Sequence, residues 1–265
     1  MSQKIEKMGN PVVIITGANN GIGFHMAASL LKERYRVAVF DLSAENLMDL
    51  QERYPRYLLF CQCDVTSNDD TKAATESVLQ KWDDIDILVN NACETIFNPF
   101  EKKALEQTRH EFEVNYFGYV RMIAAVLPHM KARKKGIIHN VSSGVGITGF
   151  PGLYGYASTK GAIEALTRTL SIELSPFGIS VSTMHPPLTN TKSASPLGVP
   201  KEAMANPSEI GRKLAKKILT TKATITPDFQ TSLYLFIARR YPNAIGKLFS
   251  KMAQKEKNVP SHNST

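Results

Sequence analysis

The sequence predicts an α/β protein, a doubly wound parallel β-sheet flanked by helices in one domain, followed by a helical, basic C-terminal extension. Three observations carry this. Short apolar runs rich in β-branched residues, near Val12, Val37, Leu58, Ile87, Ile137 and Val181, alternate with amphipathic stretches. Strands and helices that alternate in this way form a parallel sheet covered on both faces. The first run passes through a cluster of glycines directly into a helical pattern. Finally, 265 residues with 43% hydrophobic content can bury a full core in one domain. No internal repeat or low-complexity linker divides the chain. The expected organisation is an N-terminal extension over 1–10, a nucleotide-binding and catalytic domain over 11–226, an amphipathic helical extension over 227–257 and a disordered tail over 258–265.

Val12 to Ile15 reads as a buried strand, and Phe24 to Leu31 as the helix that follows it. Between them lies TGANNGIG, with Gly17, Gly21 and Gly23. Strand, glycine turn and helix in that order is the setting of a Rossmann-type dinucleotide site. Glycines let the backbone approach a pyrophosphate, and the helix start offers N–H donors and a positive dipole end. The second strand, Arg36 to Phe40, ends at Asp41, 18 residues after Gly23. A carboxylate there accepts hydrogen bonds from both adenosine ribose hydroxyls and repels a 2′-phosphate. The turn residues Ala18, Asn19 and Asn20 include no cation that could pair with such a phosphate. Both features favour NAD over NADP. Asp41 also suits the N-terminal cap of a helix expected over 43–53.

Further along, YASTK places Tyr156 and Lys160 four residues apart, on one face of a helix. An ammonium beside a phenol stabilises the phenolate. Lowering a phenol pKa from about 10 to about 7 takes about 4 kcal/mol, which a lysine and a cationic cofactor ring can share. The pair is then a proton donor and acceptor near neutral pH. Alone, the spacing fits a surface tyrosine and lysine equally well. The glycine turn upstream tips the balance.

Together these residues resemble the short-chain dehydrogenase/reductase family over roughly 10–222. TGANNGIG is similar to the family's glycine turn. Cys63–Val65 resembles the segment that sets an aspartate, here Asp64, against the adenine. DILVNNA, ending in Asn90, Asn91 and Ala92, resembles the family's fourth-strand end. VNYFG supplies Asn115, which the family uses to hold a water in a proton relay. Ser143 of NVSSGVG precedes Tyr156 by 13 residues, the family's interval, while its neighbour Ser142 points away. The resemblance implies a catalytic set of Asn115, Ser143, Tyr156 and Lys160. Tyr156 exchanges the proton, Lys160 lowers its pKa and holds the nicotinamide ribose, and Ser143 orients the reacting oxygen. It further implies a cofactor site of Gly17, Asn19, Asn20, Gly21, Ile22, Gly23, Asp41, Leu42, Asp64, Val65, Asn91, Ala92, Tyr156, Lys160, Pro186, Thr189 and Thr191. No metal is expected.

Two departures stand near the nicotinamide end. Cys93 replaces the family's glycine after Ala92, and Pro187 follows Pro186 where the family has Pro-Gly, removing an N–H and fixing φ. The tail departs further: the short strand and glycine pair that close many family members are not evident in TITPDFQ. Members with proline-containing, apolar and basic tails act on bulky hydrophobic alcohols or ketones, so the expected substrate is a lipid-, steroid- or retinoid-like alcohol or ketone. The segment 192–210 is the expected pocket lid, and a homodimer through the helices around Asn115 and Tyr156 is the family's expectation.

Charge is unevenly placed. Residues 1–211 hold 21 Lys/Arg against 22 Asp/Glu, and residues 212–265 hold 11 against 2. In the tail, Leu233, Phe236, Ile237, Leu248, Phe249 and Met252 stand among Arg239, Arg240, Lys247, Lys251 and Lys255. Such a segment can lie on an anionic bilayer. Packing on the substrate lobe with its lysines in water is the preferred reading. No nucleic-acid-binding pattern accompanies the basic charge. Cys61, Cys63 and Cys93 lack metal-ligand spacing and read as reduced thiols of a cytoplasmic protein. No secretory segment or membrane-spanning run is seen. His110, His129, His139 and His185 match no catalytic or metal spacing, Trp82 reads as packing, and Lys131, Arg133, Lys134 and Lys135 suit a helix end. Two other readings compete with the NAD-dependent enzyme: an NADP-dependent 3-oxoacyl or ketone reductase, and a non-catalytic dinucleotide-binding scaffold at a membrane surface.

Overall fold

The structure, a computed structural model, describes residues 10–197 and 199–257, and side chains as far as Met252. Most of the expected N-terminal extension, the tail over 258–265 and the side chain of Lys255 lie outside them.

Seven parallel strands form one sheet in the order β3-β2-β1-β4-β5-β6-β7. They are β1 Val12–Thr16, β2 Arg36–Asp41, β3 Leu58–Gln62, β4 Ile87–Asn90, β5 Gly136–Val141, β6 Ile179–Met184 and β7 Thr224–Ile225. All five residues of β1 are fully buried, and alternate side chains serve opposite faces. Val13 and Ile15 join the core under helices α1 (Gly21–Lys32) and α8 (Pro207–Ala215). Val12 and Ile14 join the opposite core, with α3 (Asn68–Trp82) and α5 (Gly118–Arg133). Two buried faces explain why the strands read as continuous apolar runs and not as alternating ones. The strand order reverses between β1 and β4, and the crevice at the carboxyl ends there is where such sheets take ligands.

Three expectations need correction. The helix expected over 43–53 is only α2, Met48–Arg53, capped by Leu47. Asn19 Oδ1 accepts from Asn46 N at 2.9 Å and Ser43 Oγ accepts from Asn19 Nδ2 at 3.2 Å, so the start of the segment is a loop tied to the glycine turn. Asp41 is therefore no helix cap. The short closing strand, not evident in the sequence, is present: Thr224 and Ile225 pair with Thr183 and Met184. Two residues are too few for a periodic signal, and Pro227 stands where the glycine pair was sought. Finally, helices α9 (Phe229–Arg240) and α10 (Pro242–Lys257) bury Leu235 and Ala238, whereas Leu233, Phe236, Ile237, Leu248, Phe249 and Met252 face solvent. Packing on the neighbouring lobe uses the other side of α9.

The remaining helices are α4 (Leu105–Phe112), the one-turn α6 (Val145–Thr148) and α7 (Tyr154–Glu173). A π-helical turn, Glu113–Phe117, joins α4 to α5. Lys192–Leu197 and Lys201–Ala203 are 3₁₀ turns in the expected lid. Among the described residues no helix is long and apolar enough to cross a membrane.

Candidate active site

The glycine turn is held from behind by β4. Asn91 Nδ2 donates to Thr16 O (3.0 Å) and Gly17 O (2.9 Å), and Thr16 Oγ1 accepts from the N–H of Asn91 and of Ala92, each at 3.0 Å. Gly17 has φ +64°, and a Cβ there would lie 2.6 Å from Ala92 Cα; one on Gly23 would lie 2.6 Å from Asn91 Nδ2. Both glycines are thus required by the chain itself, and Asn91 and Ala92 serve the site by fixing the turn. Asn20 is extended at the start of α1 without a side-chain cap, and the first turn of α1 has no acid. The first N–H groups of this helix, at Gly21, Ile22 and Gly23, are left to receive an anion.

At the end of β2, the Asp41 carboxylate accepts from Asn19 N and Leu42 N, each at 2.8 Å. Each oxygen keeps further acceptor capacity for a ribose hydroxyl. Leu42 is 64% exposed beside it, and Asn20 Oδ1 is tied to Asn46 Nδ2. Thr191 sits over the turn, its methyl 3.4 Å from where a Cβ on Gly21 would be. Thr189 is buried and its hydroxyl donates to Pro187 O at 2.8 Å; Pro186 follows β6 and is half-buried. Asp64 is less free than expected: Oδ1 accepts from both Thr66 N and Thr66 Oγ1 at 2.8 Å. Val65 is buried in the core. An uncapped helix start facing a carboxylate across a glycine turn fits a nicotinamide dinucleotide.

On α7, Tyr156 and Lys160 stand one turn apart, and Lys160 is only 1% exposed. Its Nζ donates to Val141 O at 2.8 Å and to the Tyr119 hydroxyl at 3.4 Å, and lies 5.5 Å from the Tyr156 ring centre. Ser143 lies beside the Tyr156 phenol and favours its ionised form. Ser142 turns the other way, bonding Lys160 O at 3.5 Å. Asn115, fully buried in the π turn, accepts from Glu94 N at 2.7 Å and donates to Glu94 O at 2.8 Å and Thr159 Oγ1 at 3.2 Å. Both its amide protons are committed. It clamps the strand-end loop, and only an Oδ1 lone pair or its main chain remains to hold a water.

Burial governs the titrations of this site. Burial pushes the Tyr156 phenol well above its ordinary value; Cys93 adds to the rise, and Ser143 opposes it. Burial raises Tyr119 likewise and lowers Lys160. In the chain alone the net shift of Tyr156 is upward, because burial outweighs the groups that favour the phenolate, and the expected lowering is not seen there. A cation brought by an oxidised dinucleotide would have to supply it.

Sequence reasoning missed two participants, Tyr119 and Glu111, while Cys93 is the residue the sequence singled out near the nicotinamide end. Tyr119 shares Lys160 with Val141 O, to which its own hydroxyl also donates at 3.2 Å. Glu111 accepts from Ile96 N at 2.9 Å and pairs with Lys103, which donates to Ile96 O at 2.8 Å; both side chains are fully buried. Cys93 lies against Tyr156, with Sγ 3.7 Å from Thr95 Oγ1. A signal for the two missed residues exists: Glu111, Asn115 and Tyr119 recur every fourth residue, as Tyr156 and Lys160 do, and all three are buried.

Comparison with known proteins agrees with this geometry. The short chain dehydrogenase family pattern matches residues 11–201. Cyclopentanol dehydrogenase of Comamonas sp. is 30% identical over 212 residues, covering 78% of this chain and 85% of that protein. Human retinol dehydrogenase 8 is 35% identical over 181 residues, covering 66% of this chain and 57% of its own. The crystal structure of 3-ketoacyl-(acyl-carrier-protein) reductase from Brucella melitensis complexed with NADH superposes with a TM-score of 0.73, at 27% identity, covering 82% of this chain and 94% of the other. The chain belongs to the short chain dehydrogenase family and is an oxidoreductase that acts on CH–OH groups with NAD(P).

Proposed function

We propose that this protein is an NAD(H)-dependent oxidoreductase that interconverts a hydrophobic secondary alcohol and its ketone. The observation that carries the proposal is Lys160, buried, anchored on Val141 O at 2.8 Å and 5.5 Å from the Tyr156 ring centre one helical turn away, with Ser143 beside the phenol. In this reading residues 11–226 bind the dinucleotide and carry the chemistry, and 227–257 form a helical extension over them.

A bound nicotinamide dinucleotide supplies the hydride acceptor or donor. Tyr156 takes the hydroxyl proton of an alcohol, or returns it to a ketone oxygen, at its phenol oxygen. Ser143 hydrogen-bonds the same substrate oxygen and aims it. Lys160, anchored by Val141 O and Tyr119, holds a positive charge under the phenol and reaches toward the nicotinamide ribose. Asn115 fixes the Glu94 backbone and orders the water through which the proton leaves. The turn at Gly17, Asn19, Asn20, Gly21, Ile22 and Gly23 cradles the pyrophosphate, and Asp41 with Leu42 meets the adenosine ribose. Asp64 and Val65 border the adenine, and Pro186, Thr189 and Thr191 border the nicotinamide. Asp41 favours NAD; among the solved neighbours one is named with NADH and others with NADP. A hydrophobic substrate is in keeping with the alcohols named for the cyclopentanol and retinol relatives. A second copy would pack along α5 and α7, where Phe117, Val120 and Ile172 are exposed. A membrane surface would meet the C-terminal helices.

Titration calorimetry with NADH and NADPH, followed by a screen of hydrophobic secondary alcohols with NAD, tests this reading. NADH binding at least ~10-fold tighter, about 1.4 kcal/mol, together with alcohol-dependent NADH formation, is expected. Preference for NADPH would sink the Asp41 assignment and favour a ketone reductase. Tight NADH binding with no turnover on any alcohol or ketone would favour the scaffold.

A further inference from the structure

Helix α9 is apolar on two opposite sides. One side buries Thr231, Leu235 and Ala238 against the chain. The other carries Phe229, Leu233, Phe236 and Ile237, spaced i, i+4, i+7, i+8, with Phe229 77% and Phe236 73% exposed. A helix that is apolar on both sides normally has a partner on both. Helix α10 continues the exposed face with Leu248 and Met252. Beside the stripe, α9 and β7 enclose a cleft of about 450 Å³ whose polar lining is Thr224, Thr226, Ser232, Arg239 and Arg240. Arg239 has one carboxylate near it, Glu164 at 3.4 Å, and Arg240 has none among the described residues, stacking instead on Tyr241.

We propose that this face lies on an anionic lipid bilayer, with the α9 stripe at the headgroup–acyl boundary and a lipid phosphate held in the Arg239–Arg240 cleft. Charge selects the bilayer over a second copy. From Phe229 to Met252 the chain contains Arg239, Arg240, Lys247 and Lys251 and no acid. An isologous contact would oppose this cationic surface to itself. An anionic bilayer complements it, and two adjacent arginines match a phosphate. Asp228, the acid at the start of α9, is already paired with Lys213 at 3.2 Å. The docking face is also continuous with the site. Tyr234 of α9 packs where a Cβ on Gly144 would be, one residue past Ser143. The interaction itself does not depend on the chemistry at Tyr156.

Sedimentation of the full chain with phosphatidylcholine vesicles, with and without phosphatidylserine, tests the proposal. Binding is expected to the anionic vesicles only, and to weaken at high salt. Phe229→Ser with Phe236→Ser should lower it by ~10-fold or more, and Arg240→Gln by about fivefold. Because these side chains are exposed, thermal unfolding should be unchanged. No vesicle binding, or equal binding to neutral and anionic vesicles, would overturn the proposal. So would a serine pair that alters the solution mass while leaving vesicle binding intact, which would show a second copy on the stripe. Saturable binding of inorganic phosphate without vesicle binding would make the cleft a site for a free anion.

Discussion

The rim of the sheet at the carboxyl ends of β1, β4 and β5 and the pair of helices at the C-terminus are built on opposite plans. In the rim each polar side chain answers another part of the chain: Asn91 holds the Thr16–Gly17 carbonyls, Asn115 holds Glu94, and Lys160 holds Val141 O. On the outer side of α9 the large apolar side chains Phe229, Leu233, Phe236 and Ile237 are exposed, and the cations beside them are unpaired or thinly paired among the described residues. Residues fixed by internal partners preorganise a site. Residues without them point to something outside the molecule.

The comparison is most sharply tested by exchanging a single group in each region. Tyr156→Phe removes one hydroxyl from the rim and should cut kcat/KM by about 10²–10⁴-fold, with NADH affinity within about twofold of the parent. Phe236→Ser removes far more surface but should leave turnover of a dissolved short-chain alcohol unchanged. Equal losses in the two variants would show that α9 belongs to the rim.

The same contrast explains what could be read in advance. The glycine turn, Asp41, Asn115, Ser143, Tyr156 and Lys160 are each a specific residue type at a fixed interval, so the fold and the members of the candidate site were legible. Strand burial on two faces made β1 to β6 legible as well. Less accessible was how the members divide their bonds. Nothing in YASTK says that Lys160 turns to Val141 and Tyr119, because that depends on β5 passing beneath α7. Two-residue β7 has no period to detect, and the α2 segment lost its first turn to long-range bonds from Asn19. The outward face of α9 was not legible, because its 3.6-residue period shows an apolar stripe without saying what covers it.

A second prediction concerns what anchors the rim. Lys103 and Glu111 form a pair with both side chains fully buried, and together they hold both polar groups of Ile96. Glu111→Ala would strand an ammonium in the interior and should cost about 3–5 kcal/mol in urea unfolding. Replacing both, as Lys103→Met with Glu111→Leu, should recover most of that loss. If the double variant is as unstable as the single one, the Ile96 hydrogen bonds matter more than the ion pair. Reversing the exposed Lys251 of α10 to Glu should change stability by less than about 0.5 kcal/mol.

Acidification separates the two regions by a smaller amount. His139 of β5 is fully buried; its Nε2–H donates to Ile218 O at 2.8 Å and Nδ1 has no partner. Burial lowers its pKa from 6.5 to about 4, against a smaller upward pull from the Ile218 carbonyl. The folded chain therefore keeps the ring neutral where the unfolded chain protonates it. Its contribution to stability is fully present above pH 6.5 and is lost progressively as pH falls from there toward about 4. Between pH 7 and pH 5 this amounts to about 2 kcal/mol. Urea unfolding at the two pH values should show that loss in the parent and not in His139→Gln, beyond whatever the carboxylates contribute equally to both. Binding to anionic vesicles should persist while the sheet weakens. A parallel loss of vesicle binding and fold stability would mean that the docking face exists only as far as the sheet beneath it holds.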